Sequence, residues 1–315
     1  MIIIPGSKYD RIHQIRDEYY SHVLSTVFRL EDPHPIALHY TSGDSLISIL
    51  DSEVFRLTNV RFMNDPTELK HSLDLLSDAI RPLRSGLLLR ETAALEHIRD
   101  HVIPKLEERS SRQFILSLSL EQDSVDLWKS YGHDNGCAFE FDIPELIRTF
   151  DTKDAGLLTG GDYTYDRYSR FNGTLLYDPT LQQQFIRDSV AFATRLFEAG
   201  LGFSTPADIY EISDCLTSMT HVMYAGLYNM KSEKHSIEKE YRFVILPDPD
   251  YSEVLKRDRN GRTENYIEMK GLLRPLRRVW MGPYCGDSGR ILKAIENYSR
   301  RHGITVPSID SSVVP

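Results

Sequence analysis

The sequence contains no apolar run approaching the ~20 residues that a membrane-crossing helix needs, which excludes a helical span. Its opening Met1-Ile2-Ile3-Ile4-Pro5 is too short for a secretory leader, and no small-residue cleavage site follows it. Cysteine is scarce: Cys137, Cys215 and Cys285 lie far apart in the chain, with no pair at metal-ligand spacing. An odd number of thiols without a leader predicts three packed, reduced cysteines in a cytoplasmic protein. A zinc pattern is missing, and so is the Gly-x-Ser-x-Gly elbow of a serine hydrolase. Positive charge is also short. Thirty-seven Lys and Arg face 46 Asp and Glu, a net charge of −9, which argues against binding nucleic acid through a general positive field. A local basic face is still on offer in Leu273-Arg274-Pro275-Leu276-Arg277-Arg278, although a solvated surface explains those arginines equally simply.

What is present is an ordinary globular composition, 41% hydrophobic and 26% charged over 315 residues, enough for one large core or two modest ones. Ile12, Ile15, Tyr19, Val23 and Val27 recur at spacings of three and four, predicting a helix over 8–30 that Asp32-Pro33-His34-Pro35 ends. Ile36 to Tyr40 reads as a short buried strand, Ser42-Gly43-Asp44 as a helix cap, and Val54 to Thr58 as a second strand. The pattern over 67–109 is helical with breaks near Pro82 and Gly86. Phe114, Leu116, Leu118 and Leu120 alternate with Gln113, Ile115, Ser117 and Ser119, the mark of a strand with one apolar face. Short helix is expected over 126–131, strand over 137–141, and mainly helix over 144–236, interrupted by a Gly- and Tyr-rich stretch (160–173). Strand follows over 240–246, a hairpin at Asn260-Gly261, a last strand over 279–283 and a helix over 288–301. No internal repeat is evident. The expected architecture is an α/β (α+β) fold in a single domain, with a mixed central sheet. It comprises an N-terminal helical extension (1–35), a core (36–285) carrying a helical insertion (about 144–236), and a C-terminal helix and tail (286–315).

Three segments carry chemistry. His39-Tyr40-Thr41-Ser42 joins a strand end to a helix N-terminus, where backbone N–H groups attract phosphates. There His39 offers a hydrogen bond to a ribose hydroxyl and Tyr40 a flat face; a core histidine beside a packed tyrosine is the plainer alternative. Ser117 and Ser119 share one strand face, and buried hydroxyls need partners, either in a polar cleft or on neighbouring backbone. Glu238 and Glu240 flank Lys239, and alternation sets both carboxylates and Arg242 on one side. Charges on an otherwise buried strand are costly unless paired or used, and Arg242 is placed to neutralise one of them. Asn64, Asp65 and Glu68 form a weaker set, readily explained as a helix entry. Trp128, Tyr131 and His133 read as core or rim.

Taken in order, Leu38-His39-Tyr40-Thr41-Ser42, Arg61-Phe62-Met63-Asn64-Asp65-Pro66-Thr67-Glu68, Leu116-Ser117-Leu118-Ser119 with Leu127-Trp128-Lys129-Ser130-Tyr131-Gly132, and Ile237-Glu238-Lys239-Glu240-Tyr241-Arg242-Phe243 resemble the bacterial family catalogued as domain of unknown function 2971, over roughly residues 36–285. A strand-borne His before a Thr-Ser helix entry, then a Ser-x-Ser strand, then Glu-x-Glu opening a strand, is more loosely similar to the ADP-ribosyltransferase superfamily. That resemblance implies a mixed central sheet, with NAD as substrate and no metal. It implies that His39 anchors a ribose, that Tyr40, Thr41, Ser42, Ser117, Ser119 and Tyr131 line the NAD site, that Glu240 is the catalytic carboxylate and that Glu238 contacts the acceptor. Asn64, Asp65, Trp128 and Arg242 are then support. The middle Tyr of the His-Tyr-Glu subtype is contested by Tyr40, Tyr131 and Tyr163, and Leu118 stands where many relatives have Thr. The chemistry suits the residues, because cleaving the nicotinamide bond builds positive charge on the ribose that a carboxylate stabilises in the transition state.

The resemblance therefore implies transfer of ADP-ribose to a macromolecular acceptor, protein, RNA or DNA. In a bacterium such an activity suits a toxin or phage-defence effector held in check by an antitoxin or inhibitor protein. Transfer to water, as an NAD glycohydrolase, uses the same pocket. A non-catalytic nucleotide or nucleic-acid-binding module is the alternative outside enzymes, and a metal-dependent nuclease using Asp65 and Glu68 is a distant fourth.

Overall fold

A computed structural model describes residues 9–27, 36–63, 67–80, 96–104, 110–132, 135–152, 156–159, 162–164, 168–201, 204–247, 253–259, 261–303 and 308–312. The chain divides into two compact units. One is built from 1–31, 64–111 and 173–236, and the other from 32–63, 112–172 and 237–315.

The first unit is helical: α1 (Asp10–Thr26), α3 (Glu68–Ile80), α5 (Pro179–Ala199) and α6 (Pro206–Tyr228). The 3.6-residue period of α1 buries Ile12, Ile15, Tyr19 and Val23 as one stripe, and the Tyr19 hydroxyl meets Ser189 Oγ of α5 at 2.9 Å. The longer helices start where their caps dictate. Asp178 accepts the Thr180 and Leu181 amides ahead of α5, and Thr205 and Asp208 close a reciprocal capping box on α6. None of the described helices is long and apolar enough to cross a membrane.

The second unit holds an open, mostly antiparallel sheet and its covering helices. Its strands are β1 (Ile36–Ser42), β2 (Val54–Asn59), β3 (Phe114–Ser119), β4 (Gly136–Asp142), β5 (Gly156–Thr159), β6 (Asp162–Thr164), β7 (Tyr168–Thr174), β8 (Glu240–Pro247), β9 (Leu255–Arg259), β10 (Arg262–Lys270), β11 (Leu276–Met281) and β12 (Ser308–Ser311). The main path runs β12-β11-β4-β1-β3-β2-β10-β5-β6, with β8 on the free side of β3 and β7 beyond it. One pair, β11 with β12, is parallel.

The helices α2 (Gly43–Ser52), α4 (Ile143–Asp151) and α7 (Ser288–His302) bury Leu46, Leu50, Leu146, Ile291 and Ile295 in the core formed with one face of the sheet. Phe114, Leu116 and Leu118 supply β3's share of that core, as their alternation requires. A smaller cluster on the opposite face gathers Leu38, Tyr40, Leu127, Trp128 and Ala138, with Tyr131 and Trp280 against it.

Two expected boundaries move. The Gly- and Tyr-rich stretch inside 144–236 carries the strands β6 and β7, and β5 lies just before it, because tyrosine and threonine favour a pleated surface once a sheet edge is available. The tail beyond the last expected helix adds a strand, β12, which pairs parallel with β11 over four residues. β9 and β10 pair antiparallel, Arg262 opposite Arg259, and Gly261 adopts φ 76°; Asn260 lies outside the described residues.

Candidate functional site

The sheet brings the three chemical segments onto adjacent strands. β8 pairs with β3 along its whole length, with Ser119 opposite Glu240 and Ser117 opposite Arg242. On its other edge β3 has two neighbours in turn. Phe114 and Ile115 pair with Asn59 and Thr58 of β2, and Ser119 pairs with Leu38 of β1. Glu240, Ser119 and Leu38 thus stand in one row across three strands, so the Glu240 and Leu38 backbones are about 10 Å apart at the usual strand spacing. Between the two partners that edge of β3 is split, and no strand pairs with Leu116 to Leu118 there among the described residues.

His39 fills the split. Its Nδ1 lies 3.0 Å from the Ser117 carbonyl oxygen, and its ring meets Phe55 edge-on at 5.7 Å. A carbonyl can only accept, so Nδ1 carries the proton and Nε2 presents a lone pair in the neutral ring. Burial pushes the imidazole below its ordinary value near 6.5, and the Ser117 carbonyl opposes that only in part, which keeps the ring neutral. Ser117 Oγ is buried without a hydrogen-bond partner among the described residues, one of the few polar atoms so placed.

Alternation separates what the sequence suggests should converge. Paired residues of an antiparallel ladder share a face, so Leu38, Ser119, Ser117, Glu240 and Arg242 are on one side, while His39 leaves β1 on the other. His39 and Glu240 therefore do not meet over one face. Nor is Glu240 an open carboxylate. Arg242 grips it through Nε at 2.5 Å and Nη2 at 2.9 Å, with both side chains buried. This is the neutralising role for Arg242 that the sequence left open.

The expected common side for Glu238 and Glu240 is also lost. Lys239 has φ 39°, a conformation uncommon for a side chain of its size, and the strand begins only at Glu240. Glu238 lies half-buried before the strand, its carbonyl taking the Ser119 hydroxyl at 2.7 Å.

Several expected ligand-facing groups are held by the protein itself. Ser119 Oγ, besides donating to Glu238, accepts the Glu121 amide at 3.0 Å. The Tyr40 hydroxyl donates to the Glu121 carbonyl at 2.9 Å, and its ring packs on Trp128 at 4.7 Å, so it stacks on core rather than on a ligand. Trp128 is buried and donates to Asp123 Oδ1 at 2.8 Å. Tyr131 is half-buried against the same cluster. Ser42 caps α2, accepting the Ser45 amide at 3.3 Å, and Thr41 is half-buried opposite Cys137. Asn64, Asp65 and His133 lie outside the described residues, as does the Tyr163 side chain. Glu68 is buried at the start of α3 in the helical unit, 3.8 Å from the Lys231 ammonium. Among the described residues no cluster of three His, Cys, Asp or Glu could hold a metal ion.

Two polar groups of this sheet were not singled out by the sequence. Asn59 is fully buried and donates to the Gln113 carbonyl at 2.8 Å, securing the end of β2 where the split opens. Asn172 donates to the Tyr241 hydroxyl at 2.8 Å, tying β7 to β8. Asparagine in an apolar strand end is the signal that could have found the first. A hollow of about 600 Å³ runs along α1, lined by Asp10, His13, Gln14, Asp17, Glu18 and Ser21. It belongs to the helical unit and its described lining comes from a single helix, so the split, where His39 meets the Ser117 carbonyl, is the better candidate.

Comparison with protein-family models, with curated proteins and with solved structures returned no match.

Two outcomes follow from these contacts. Arg242→Met leaves a buried carboxylate uncompensated and should lower unfolding stability by about 3–5 kcal/mol, whereas adding Glu240→Leu should recover most of that loss; denaturant melts of the three proteins decide it. For His39 the folded value lies below the unfolded one, so the unfolded chain binds more protons between them. Stability is full above about pH 6.5 and declines as pH falls from there toward the depressed folded value. His39→Gln should remove that component from the stability-versus-pH curve.

Proposed function

We propose that this chain is an ADP-ribosyltransferase-like enzyme that binds NAD at the split between β1 and β2 on the edge of β3 and transfers ADP-ribose to a macromolecular acceptor. The observation that carries the reading is the His39 imidazole, fixed by the Ser117 carbonyl in the tautomer whose free Nε2 accepts a hydrogen bond. A ribose hydroxyl is a donor of the right kind. The α2 N-terminus, four residues beyond His39 and capped by Ser42, supplies backbone amides suited to phosphate. The looser resemblance to the ADP-ribosyltransferases, carried by the His, Ser-x-Ser and Glu-x-Glu segments, supports the same substrate.

In this reading the negative charge beside the ribose comes from the Glu238–Glu240 segment. Because Arg242 neutralises much of the Glu240 charge, the half-buried Glu238 is the carboxylate assigned to stabilise the developing oxocarbenium, and Glu240 with Arg242 braces the strand beneath it. The acceptor, whether protein, RNA or DNA, takes the ribose carbon as nicotinamide leaves. A toxin or defence role restrained by a partner protein fits such an activity.

The closed Glu240–Arg242 pair and the opposite faces of His39 and Glu240 favour a second reading, a nucleotide-binding module without catalysis. Purified protein incubated with labelled NAD and cell lysate separates the two, with protein, RNA and DNA products scored apart. Transfer should appear in one acceptor class and fall at least 100-fold in both His39→Gln, which keeps a side chain able to donate to the Ser117 carbonyl, and Glu238→Gln, each assayed at a temperature below its own melt. Free ADP-ribose alone would make the enzyme a glycohydrolase. Saturable NAD binding without turnover would establish the binding module, and neither binding nor turnover would remove NAD from the account.

A further inference from the structure

Cys137 and Cys285 are 148 positions apart in sequence, yet their sulfurs lie 4.0 Å from each other. Neither is in a disulfide. Cys137 is fully buried in the middle of the sheet, on β4, where it pairs with Thr41 of β1 and Met281 of β11. Cys285 is half-buried in the turn that leaves β11, its amide bonded to the Gly282 carbonyl at 3.1 Å. One thiol is thus reachable from solvent and the other waits directly behind it. The third cysteine, Cys215, is buried in the helical unit.

We propose that Cys137 and Cys285 form a reversible disulfide, with Cys285 as the sulfur that a hydroperoxide attacks first and Cys137 as the one that resolves it. In the first step the Cys285 thiolate attacks the peroxide, the O–O bond breaks, and Cys285 becomes a sulfenic acid as the peroxide is reduced to water or an alcohol. In the second the Cys137 sulfur attacks the Cys285 sulfur, the S–O bond breaks, and a second water leaves with the Cys137 proton. Two thiols and one hydroperoxide give one disulfide, and an external dithiol reverses it.

The sulfurs must close by about 2 Å to reach bonding distance. The Cys285 turn is the side that yields, because Cys137 is held on both edges of its strand. Its surroundings are also tight. A methyl group on Gly136 would sit 2.8 Å from the Gly132 Cα, and one on Gly282 would sit 2.9 Å from the Gly136 carbonyl. The Gly282 amide donates to that carbonyl at 2.8 Å, fixing where the turn departs. Burial and the neighbouring Cys285 both push the Cys137 thiol up, so the first encounter with oxidant falls to Cys285.

The experiment counts thiols in the denatured full chain before and after stoichiometric hydrogen peroxide. The expected count falls from three to one, and peptide mapping without reductant finds Cys137 joined to Cys285. A dithiol restores three. Cys285→Ser should keep both remaining thiols at the same dose, whereas Cys137→Ser should lose one thiol as a sulfenic acid captured by dimedone. Three thiols surviving in the wild type, or a bridge through Cys215 or between chains, would overturn the assignment. Melts of both serine variants confirm that each count is made on folded protein.

Discussion

The edge of β3 is where this sheet is decided. A strand in the middle of a sheet offers hydrogen-bonding groups on both sides, and each must find a partner. β8 satisfies one side in full, but β2 and β1 share the other and leave a gap between them. The Ser117 carbonyl falls in that gap, and an imidazole takes the place of a neighbouring strand's amide. That substitution fixes the tautomer of His39 and holds a polar ring within a sheet whose other inward residues are phenylalanine, leucine and isoleucine.

The Glu240–Arg242 pair does comparable work on the next strand. Two charges in the interior are stable only when each meets the other with good geometry, and the two-point contact provides it. The same contact limits what Glu240 can do for a ligand. In the proposed function the electrostatic role passes to Glu238, whose carbonyl takes the Ser119 hydroxyl beside the positive-φ Lys239.

Much of the sheet was legible from alternation. Phe114, Leu116 and Leu118 face the core as their spacing requires, Ser42 caps the helix that follows it, and β9 pairs with β10 as a hairpin. The site was less so. Alternation through Glu238-Lys239-Glu240 fails because Lys239 takes a positive φ, which no composition rule assigns to lysine. The faces of His39 and Glu240 depend on which strands pair, a property of the whole sheet rather than of either segment. The same pairing brings Cys137 and Cys285 together, although their spacing in sequence suggested three unrelated thiols. Tyr40 and Ser119, which looked like ligand groups, are taken up by the Glu121 backbone, in Tyr40's case across 81 positions that sequence spacing does not connect.

The account stands on the chemical state of one ring. Long-range nitrogen-15 NMR of histidine-labelled protein at neutral pH reports which nitrogen of His39 carries the proton, before and after NAD is added. The expected spectrum shows a protonated Nδ1 and a bare Nε2, with the Nε2 resonance moving toward a hydrogen-bonded value as NAD saturates. A proton on Nε2, or a bare Nε2 indifferent to saturating NAD, would contradict the assignment of the split as the nucleotide site.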